Sequence, residues 1–271
     1  MARKCYDFSG ITLGISCDEP LHETDNVKKF AADCAPQYEI ALQFTDDMPV
    51  DPDCAESSLK RAKLEANKPE QIYAYTEFHG SDIKMYATER YRGSFGVDSV
   101  LRNLPLSHLL LNNGAVIMHG AYIISNGEAI VFSAPSGTGK STQAELWRKE
   151  RGAAVINGDR VLIRRGDNGF TAGGIHYCGT SGICENVTAP LRAVVLLGQA
   201  AKNSVCRCPG SQALRRMLPE CACCTDFTDE AARLVMLLSE LINSVAVLKF
   251  DCLPDKSAVE ALTQCLYGEC K

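Results

Sequence analysis

The distribution of apolar and polar positions divides the first hundred residues into short β-strands. Five runs combine strand length with β-branched and aromatic residues: Tyr6–Phe8, Ile11–Ile15, Tyr38–Phe44, Ile72–Phe78 and Ile83–Thr88. Ser9-Gly10 and His79-Gly80-Ser81-Asp82 are turn sequences between neighbouring runs. Glu56–Asn67 has instead the composition of a helix with little apolar face. This pattern predicts a small β-rich domain built on an antiparallel sheet.

The pattern changes near residue 92 and then predicts a larger domain. Val97–Leu111 is an apolar-rich helical segment that Pro105 divides and Asn112-Asn113-Gly114 ends. Strand-length runs follow at Ala115–Met118, Ala121–Ser125, Ala129–Ser133, Ala153–Asn157, Val161–Arg165, Leu191–Leu197 and Val245–Phe250, and helix-length runs at Gln143–Glu150, Ser211–Cys221, Asp229–Ser244 and Asp255–Leu266. Asn126-Gly127 predicts a type I′ hairpin turn. We therefore predict two domains, residues 1–92 and 93–271, the second an α/β fold with a mixed β-sheet.

One segment of the second domain carries recognisable chemistry. The apolar run Ala129–Ser133 leads into A-P-S-G-T-G-K-S at 134–141, which matches the phosphate-binding pattern G-x-x-x-x-G-K-[ST] except that Ala134 replaces the first glycine. Glycines let successive backbone N–H groups turn toward phosphate oxygens, and the helix that follows adds partial positive charge. The predicted nucleotide-binding residues of this P-loop are Ala134, Pro135, Ser136, Gly137, Thr138, Gly139, Lys140, Ser141 and Thr142.

Two side chains of this loop have distinct roles in such a site. Lys140 reaches the β- and γ-phosphates as a point charge. The hydroxyl of Ser141 ligates the Mg²⁺ that bridges the same phosphates. We therefore expect ATP and Mg²⁺ as cofactors, with a preference for GTP left open.

Composition and charge narrow the remaining classes of function. The chain of 271 residues is 46% hydrophobic and 23% charged, as in ordinary globular proteins. Residues 1–100 hold 11 basic against 18 acidic residues, and no basic stripe occurs, so we expect no nucleic acid partner. No apolar run has the length of a membrane helix, and no signal peptide is evident, so we expect a cytoplasmic protein without a membrane partner. Its 14 cysteines are then expected to be reduced thiols.

The second domain resembles a known family of kinases. The resemblance lies in Met118-His119-Gly120, the hairpin, the loop S-G-T-G-K-S-T and Asn157-Gly158-Asp159-Arg160-Val161. These segments resemble the C-terminal catalytic domain of HPr serine kinase/phosphorylase, within the group that shares the phosphoenolpyruvate carboxykinase type of nucleotide-binding core. The tail resembles uncharacterised HPr-kinase-like proteins linked to modified-peptide gene clusters through Cys178-Gly179, Asn186, Ala189-Pro190-Leu191, Asn203 and Leu253-Pro254-Asp255. The resemblance covers roughly residues 114–267 and implies a P-loop core with a mixed sheet of HPr kinase/carboxykinase type.

The resemblance also implies roles for individual side chains. Asp159 matches the second of two adjacent aspartates that bind magnesium and deprotonate the attacking hydroxyl in the family, and Gly158 replaces the first. Asp159 is therefore predicted to be a metal ligand, the general base, or both; the alternative is that Gly158-Asp159 is an ordinary turn pair. His119 matches the family's His-Gly, where it can bind the γ-phosphate or move a proton; the alternative is a hydrogen-bonded core histidine. Arg160 is left out of the catalytic set, because a surface ion pair explains it equally well. The predicted catalytic residues are Asp159, His119 and Lys140, and the predicted metal ligands are Ser141 and Asp159.

Two further segments combine residue types that can carry chemistry. Gly173–Gly182 concentrates small and polar residues, which is typical either of a mobile loop beside a site or of a plain glycine-rich connection. Its candidate acceptor-binding residues are His176, Cys178, Thr180 and Ser181. Cys206-Arg-Cys208 and Cys221-Ala-Cys-Cys224 lack zinc-ribbon spacing, so we expect ordinary thiols, with Cys221–Cys224 extending the helix that begins at Ser211.

Together these observations predict a kinase that transfers the γ-phosphoryl group of ATP to a hydroxyl of a peptide, a protein or a small alcohol. The N-terminal domain is expected to help bind this acceptor, and a homo-oligomer is left open. Two alternatives stand beside the kinase. One is a nucleotide-binding regulator without catalysis, which the missing aspartate at Gly158 suggests. The other is a carboxykinase-like enzyme that acts on a small carboxylate.

Overall fold

A computed structural model of the protein describes residues 2–49, 60–65, 68–223 and 229–268. The chain divides into two compact units, Met1–Leu109 with Cys224–Asp229 and Leu110–Cys223 with Glu230–Lys271. The first boundary between the two units, after Leu109, therefore lies later in the chain than the boundary near residue 92 that the sequence suggests. Contacts of the helix at Val97–Asn103 explain this, since Val97 N donates to His22 O at 2.9 Å and Asp98 accepts from the Thr24 hydroxyl at 3.1 Å.

The first unit contains a seven-stranded sheet and short helices. Its elements are β1 Ala2–Phe8, β2 Ile11–Cys17, α1 Asp25–Lys28, β3 Ala31–Ala32, β4 Tyr38–Phe44, β5 Lys60–Glu65, β6 Lys68–His79, β7 Asp82–Ala87, a 3₁₀ turn Glu89–Tyr91, α2 Val97–Asn103 and the start of α3 Leu106–Asn112. The strands lie in the order β3-β1-β2-β4-β7-β6-β5. Pro105 separates α2 from α3, as the sequence predicts.

Two expectations for the first unit are wrong. The sheet is mixed, because β4 pairs in parallel with both β2 and β7. Alternation of apolar and polar residues has the same period in parallel and antiparallel strands, so it does not encode strand direction. Lys60–Glu65, within the segment that the composition predicts to be helical, is a strand paired with β6. The rest of that segment, residues 56–59 and 66–67, lies outside the described residues.

The second unit is built on a nine-stranded mixed sheet. Its elements after α3 are β8 Ala115–His119, β9 Ala121–Ser125, β10 Glu128–Ser133, α4 Lys140–Arg151, β11 Ala154–Asn157, β12 Arg160–Gly166, β13 Gly169–Gly173, a 3₁₀ turn Gly179–Ser181, β14 Thr188–Gln199, β15 Ser204–Arg207, α5 Gly210–Met217, a 3₁₀ turn Leu218–Glu220, α6 Glu230–Ser244, β16 Ala246–Cys252 and α7 Lys256–Tyr267. Strands run in the order β11-β9-β10-β14-β13-β12-β8, and β16 joins β14 to β15.

Most elements of this unit follow the sequence pattern. The Asn126-Gly127 turn has φ angles of 53° and 77°, which is the positive-φ pair of a type I′ turn. Two features of the unit differ from the prediction. The sequence pattern does not predict strands β13 and β15. The predicted helix over Ser211–Cys221 ends at Met217 and continues as a 3₁₀ turn that contains Pro219, so Cys221 does not extend it. Cys221 instead forms an isolated β-bridge with Met118, and Cys224 lies outside the described residues.

The central strands of this sheet are buried on both faces, because helices pack against each face. Along β10, Ile130 and Phe132 pack in one apolar cluster with Trp147 of α4 and with α7. Ala129 and Val131 pack in the opposite cluster, with α5 and α6. α4 therefore leaves the carboxyl end of β10 as a firmly packed helix. In the described part of the chain, no helix has both the length and the apolar character needed to cross a membrane.

Candidate functional site

The loop between β10 and α4 has a backbone that depends on glycine. Gly137 and Gly139 have φ angles of 79° and 113°, in the left-handed region that favours glycine, and Gly139 is the N-cap of α4. Apart from the adjoining residues, no described atom would lie within 4 Å of a Cβ at either position, so backbone conformation and not crowding requires these glycines. Thr138 steadies the turn, since its hydroxyl donates to Pro135 O at 2.9 Å.

Lys140 folds back onto this loop from the first position of α4. Its Nζ donates to Ala134 O at 2.7 Å and to Pro135 O at 3.3 Å, and the residue is only 7% exposed. Burial lowers the pKa of Lys140, while the charges of Glu220 and Asp159 act to raise it. The ammonium therefore has two carbonyl oxygens as hydrogen-bond acceptors in a partly desolvated place. Neither carbonyl oxygen carries a negative charge. An anion held by the loop would therefore be a better partner for the ammonium of Lys140.

Neighbouring residues complete the loop and anchor the helix that follows. Pro135 and Ser136 are exposed, and Ser141 and Thr142 are exposed in the first turn of α4. Gln143 is buried, and its Nε2 donates to Leu253 O at 3.1 Å and contacts Cys252 Sγ at 3.3 Å, which ties α4 to the end of β16. The side chain of Gln199, at the end of β14, lies 3.4 Å from the carbonyl oxygens of Gly137 and Thr138.

The register between β8 and β12 brings His119 to Asp159. His119 is the partner of Arg160 in this antiparallel pair, and Gly120 N donates to Asp159 O at 2.9 Å. His119 Nε2 and Asp159 Oδ1 lie 3.6 Å apart, and both side chains are about three-tenths exposed. The hydroxyl of Ser133, the last residue of β10, donates to His119 O at 2.9 Å. The histidine therefore lies beside the start of the P-loop as well as beside Asp159.

Glu220 joins this cluster, and sequence reasoning missed it. Its Oε2 lies 2.9 Å from His119 Nδ1, and its side chain is 13% exposed. The contact depends on the bridge between Cys221 and Met118 and on the hydrogen bond from Ala222 N to Ile117 O at 2.8 Å. Pro219 is a sequence signal that the helix ends before Glu220, but no sequence signal indicates that the chain then pairs with β8.

Asn157 organises the backbone around Asp159. Its Oδ1 accepts from Asp159 N and Arg160 N, both at 2.9 Å, and its Nδ2 donates to Ile175 O at 2.9 Å and Tyr177 O at 2.8 Å. The side chain is fully buried. Arg160 Nε lies 3.4 Å from Asp159 Oδ2, so Arg160 forms an ion pair, which is the alternative to a catalytic role that the sequence left open. Asn157 thus joins the turn that carries Asp159 to the loop that begins at Gly174.

The glycine-rich segment lies directly against Asp159. A Cβ on Gly179 would come within 2.6 Å of Asp159 Cγ, and one on Gly158 would come within 2.5 Å of Ser181 Oγ. Thr180 and Ser181 are exposed and Cys178 is half-buried, whereas His176 is buried, with its ring 3.9 Å from that of Tyr177. Of the predicted acceptor-binding residues, Cys178, Thr180 and Ser181 are thus reachable from solvent, and His176 is not.

The donor set matches magnesium in chemistry. Ser141 and Asp159 offer hydroxyl and carboxylate oxygens, which are the ligands that Mg²⁺ prefers. Among the described residues, no group of three or more His, Cys, Asp or Glu side chains has the arrangement of a protein-only metal site. The assignment of Ser141 and Asp159 as metal ligands stays a prediction.

Comparisons with known proteins show a distant structural likeness. No protein-family model matches the chain, and no curated protein matches it. Among solved structures, the chain is similar to the HPr(Ser) kinase/phosphatase from Coxiella burnetii, at 10% sequence identity and a TM-score of 0.30. The match covers 56% of this chain and 93% of that chain.

Proposed function

We propose that this protein is an ATP-dependent kinase that transfers the γ-phosphoryl group to a hydroxyl of a peptide, a protein or a small alcohol. The observation that carries the proposal is the buried ammonium of Lys140, which lies on a glycine-dependent loop at the start of α4 and near the carboxylates of Asp159 and Glu220. Phosphoryl transfer needs a cation at the phosphates and a group beside them that can accept a proton.

In this proposal the nucleotide phosphates lie in the loop of residues 134–142. Backbone N–H groups at the start of α4 point toward the phosphate oxygens, and the helix dipole adds to the attraction. Lys140 then exchanges its carbonyl acceptors, Ala134 O and Pro135 O, for a phosphate oxygen. The exchange is favourable because a hydrogen bond between two charged groups is stronger than one to a neutral carbonyl.

Magnesium and the general base are assigned to the residues next to the loop. Ser141 and Asp159 would hold Mg²⁺, which when bound offsets the negative charge of the phosphates. Asp159 and His119 are the two groups proposed to accept the proton of the attacking hydroxyl, and the 3.6 Å between His119 Nε2 and Asp159 Oδ1 supports a shared role. Asn157 fixes the backbone of Asp159 through its hydrogen bond to Asp159 N.

The acceptor is proposed to be a neutral or basic molecule with a serine, threonine or small-alcohol hydroxyl. The 18 acidic against 11 basic residues of 1–100 would repel an acidic partner that docks there. Exposed Thr180 and Ser181, on the segment against Asp159, are the proposed contacts for the acceptor hydroxyl group. A peptide acceptor would in addition bind to the N-terminal domain by strand addition.

Calorimetry with Mg·ATP tests the nucleotide site. We expect Lys140→Ala to weaken binding by at least about 10-fold, because a charged hydrogen bond to phosphate is lost. Lys149→Ala is the matched control, since Lys149 is exposed on the same helix, and it should bind as the wild type does. Circular dichroism should show that both variants are folded. Equal affinities of Lys140→Ala and wild type for Mg·ATP would show that the P-loop assignment is wrong.

Labelled ATP tests the transfer itself. The protein is incubated with γ-labelled ATP and with size-fractionated extract of its source cells, and Lys140→Ala serves as the background. We expect label in a peptide, protein or small-alcohol fraction. Binding of Mg·ATP without label in any fraction would favour a regulator, and label on a small carboxylate would favour the carboxykinase-like reaction.

A further inference from the structure

His119 lies between two carboxylates at unequal distances. Glu220 Oε2 is 2.9 Å from Nδ1, within normal hydrogen-bond range, whereas Asp159 Oδ1 is 3.6 Å from Nε2, beyond it. The two ring nitrogens are therefore not equivalent. One is bonded to a mostly buried carboxylate from a distant part of the chain, and the other faces the side of the site on which Asp159 lies.

The shorter contact determines where the imidazole carries its proton. A carboxylate oxygen can only accept a hydrogen bond, so the Nδ1 that faces Glu220 must donate. A neutral imidazole with its proton on Nδ1 has a free lone pair on Nε2. Nε2 is then the nitrogen that can accept a proton from a hydroxyl placed near Asp159.

We propose that Glu220 is a positioning residue that holds His119 with its proton on Nδ1, so that His119 Nε2 is the general base of the reaction. This inference rests on the proposed kinase function. In the step, Nε2 takes the proton of the acceptor hydroxyl as its oxygen bonds to the γ-phosphorus. The bond from that phosphorus to the β,γ-bridging oxygen breaks, and its electron pair leaves with ADP.

The surroundings of Asp159 support this division of roles. Its Oδ2 is 3.4 Å from Arg160 Nε. Its Oδ1 packs against the backbone of Gly179, where an added Cβ would lie only 2.8 Å from that oxygen. Gly158 supplies no second carboxylate, so a site that uses Asp159 for the metal needs its base elsewhere. His119, whose Nε2 lies 3.6 Å from Asp159 Oδ1, is such a group.

Glu220 is also held in a way that suits orientation of another side chain. It ends a 3₁₀ turn, and both residues that follow it are fixed to β8, Cys221 by its bridge to Met118 and Ala222 by its bond to Ile117 O. Little freedom remains in its backbone. A catalytic histidine oriented by a carboxylate on its second nitrogen is a recurrent arrangement, because the carboxylate sets both the tautomer and the ring plane.

Nitrogen-15 NMR of the histidine side chains tests the tautomer without any nucleotide or activity. The resonances of His119 are identified by their absence from His119→Gln. We expect Nδ1 to carry the proton in neutral His119 of the wild type and of the control Glu260→Gln, an exposed glutamate on α7. In Glu220→Gln the preference should be reduced, because the amide can accept from Nδ1 or donate to it. A proton on Nε2 in the wild type, or an unchanged tautomer in Glu220→Gln, would overturn the proposal.

A double-mutant cycle on phosphoryl transfer tests the catalytic part. We expect Glu220→Gln to reduce kcat by at least about 10-fold, with Mg·ATP affinity within about twofold. In a His119→Gln background the same change should have no further effect, since Glu220 acts through His119. Equal effects of Glu220→Gln in both backgrounds would refute this pathway. A protein that shows the expected tautomer but transfers no phosphoryl group would refute the kinase function and leave the histidine geometry correct.

Discussion

Gly158 lies so close to Ser181 that a Cβ on Gly158 would be 2.5 Å from Ser181 Oγ and 2.6 Å from Ser181 Cβ. These distances are well inside van der Waals contact, so one of the two segments would have to move. The loop that carries Ser181 thus occupies the space into which a side chain at 158 would extend. A side chain at position 158 therefore has no room while this loop is in place.

We therefore expect Gly158→Ala to reduce the free energy of unfolding by about 1–3 kcal/mol, since overpacking forces the loop away. Ser181→Gly in the same protein should recover part of the loss, because it removes both clashing atoms. Urea unfolding followed by circular dichroism gives the comparison. Gly93→Ala is a suitable control, as its Cβ would lie more than 4 Å from every described atom. If Gly158→Ala were as stable as that control, the close packing of the two segments would be wrong.

Asp159→Asn should reduce the rate of a single turnover by about 100-fold or more and change Mg·ATP binding much less. The amide fills the same space, but it cannot offer a full negative charge to the metal. Single-turnover phosphoryl transfer and calorimetry separate the two effects. Asp167→Asn, in the exposed turn between β12 and β13, is the control. Equal rates for Asp159→Asn and wild type would remove Asp159 from the reaction.

Asn157→Ala should destabilise the protein by about 2–4 kcal/mol, because it leaves two partly buried N–H groups and two carbonyl oxygens without the partner that they have in the wild type. Hydrogen exchange should become faster at Asp159 and Arg160, whose N–H groups bond to Asn157 Oδ1. Asn186→Ala, at an exposed position, should alter neither quantity. Unchanged protection of these two amides would contradict the role assigned to Asn157.

Glu23 should make stability depend on pH in the acidic range. Burial acts to raise its pKa, but Lys4, with which it forms an ion pair, and the hydroxyl of Tyr6, at 2.8 Å, hold the pKa below the usual 4.5. The folded state therefore binds the proton less readily than the unfolded state. This stabilisation is complete above pH 4.5 and is lost as the pH falls through the folded-state pKa.

The corresponding variant is Glu23→Gln, which we expect to be less stable than wild type by about 1–3 kcal/mol at pH 7. The difference should shrink as the pH is lowered below 4.5, because the wild type then becomes protonated as well. Urea unfolding at a series of pH values measures it, with Glu19→Gln, at an exposed carboxylate, as the control. A difference that stays constant down to acidic pH would show that the charge of Glu23 contributes nothing.

The sequence by itself determined the features that depend on neighbouring residues. The P-loop pattern indicated where a strand ends and α4 begins, because glycines at 137 and 139 and a helix-forming run after Lys140 act locally. Asn126-Gly127 indicated a type I′ turn for the same reason, and Pro105 the break between α2 and α3. Each of these depends on φ preferences and hydrogen bonds within a few residues, which the order of amino acids specifies directly.

Only the tertiary structure decided which distant side chains share the site. Glu220 lies 101 residues after His119, and their contact depends on the pairing of Cys221 with Met118. The space beside Gly158 depends in the same way on where the loop of Ser181 folds. Strand direction in the first sheet also escaped the sequence pattern, because alternation is identical for parallel and antiparallel neighbours. Such relationships are set by register and packing over long separations, where no local preference acts.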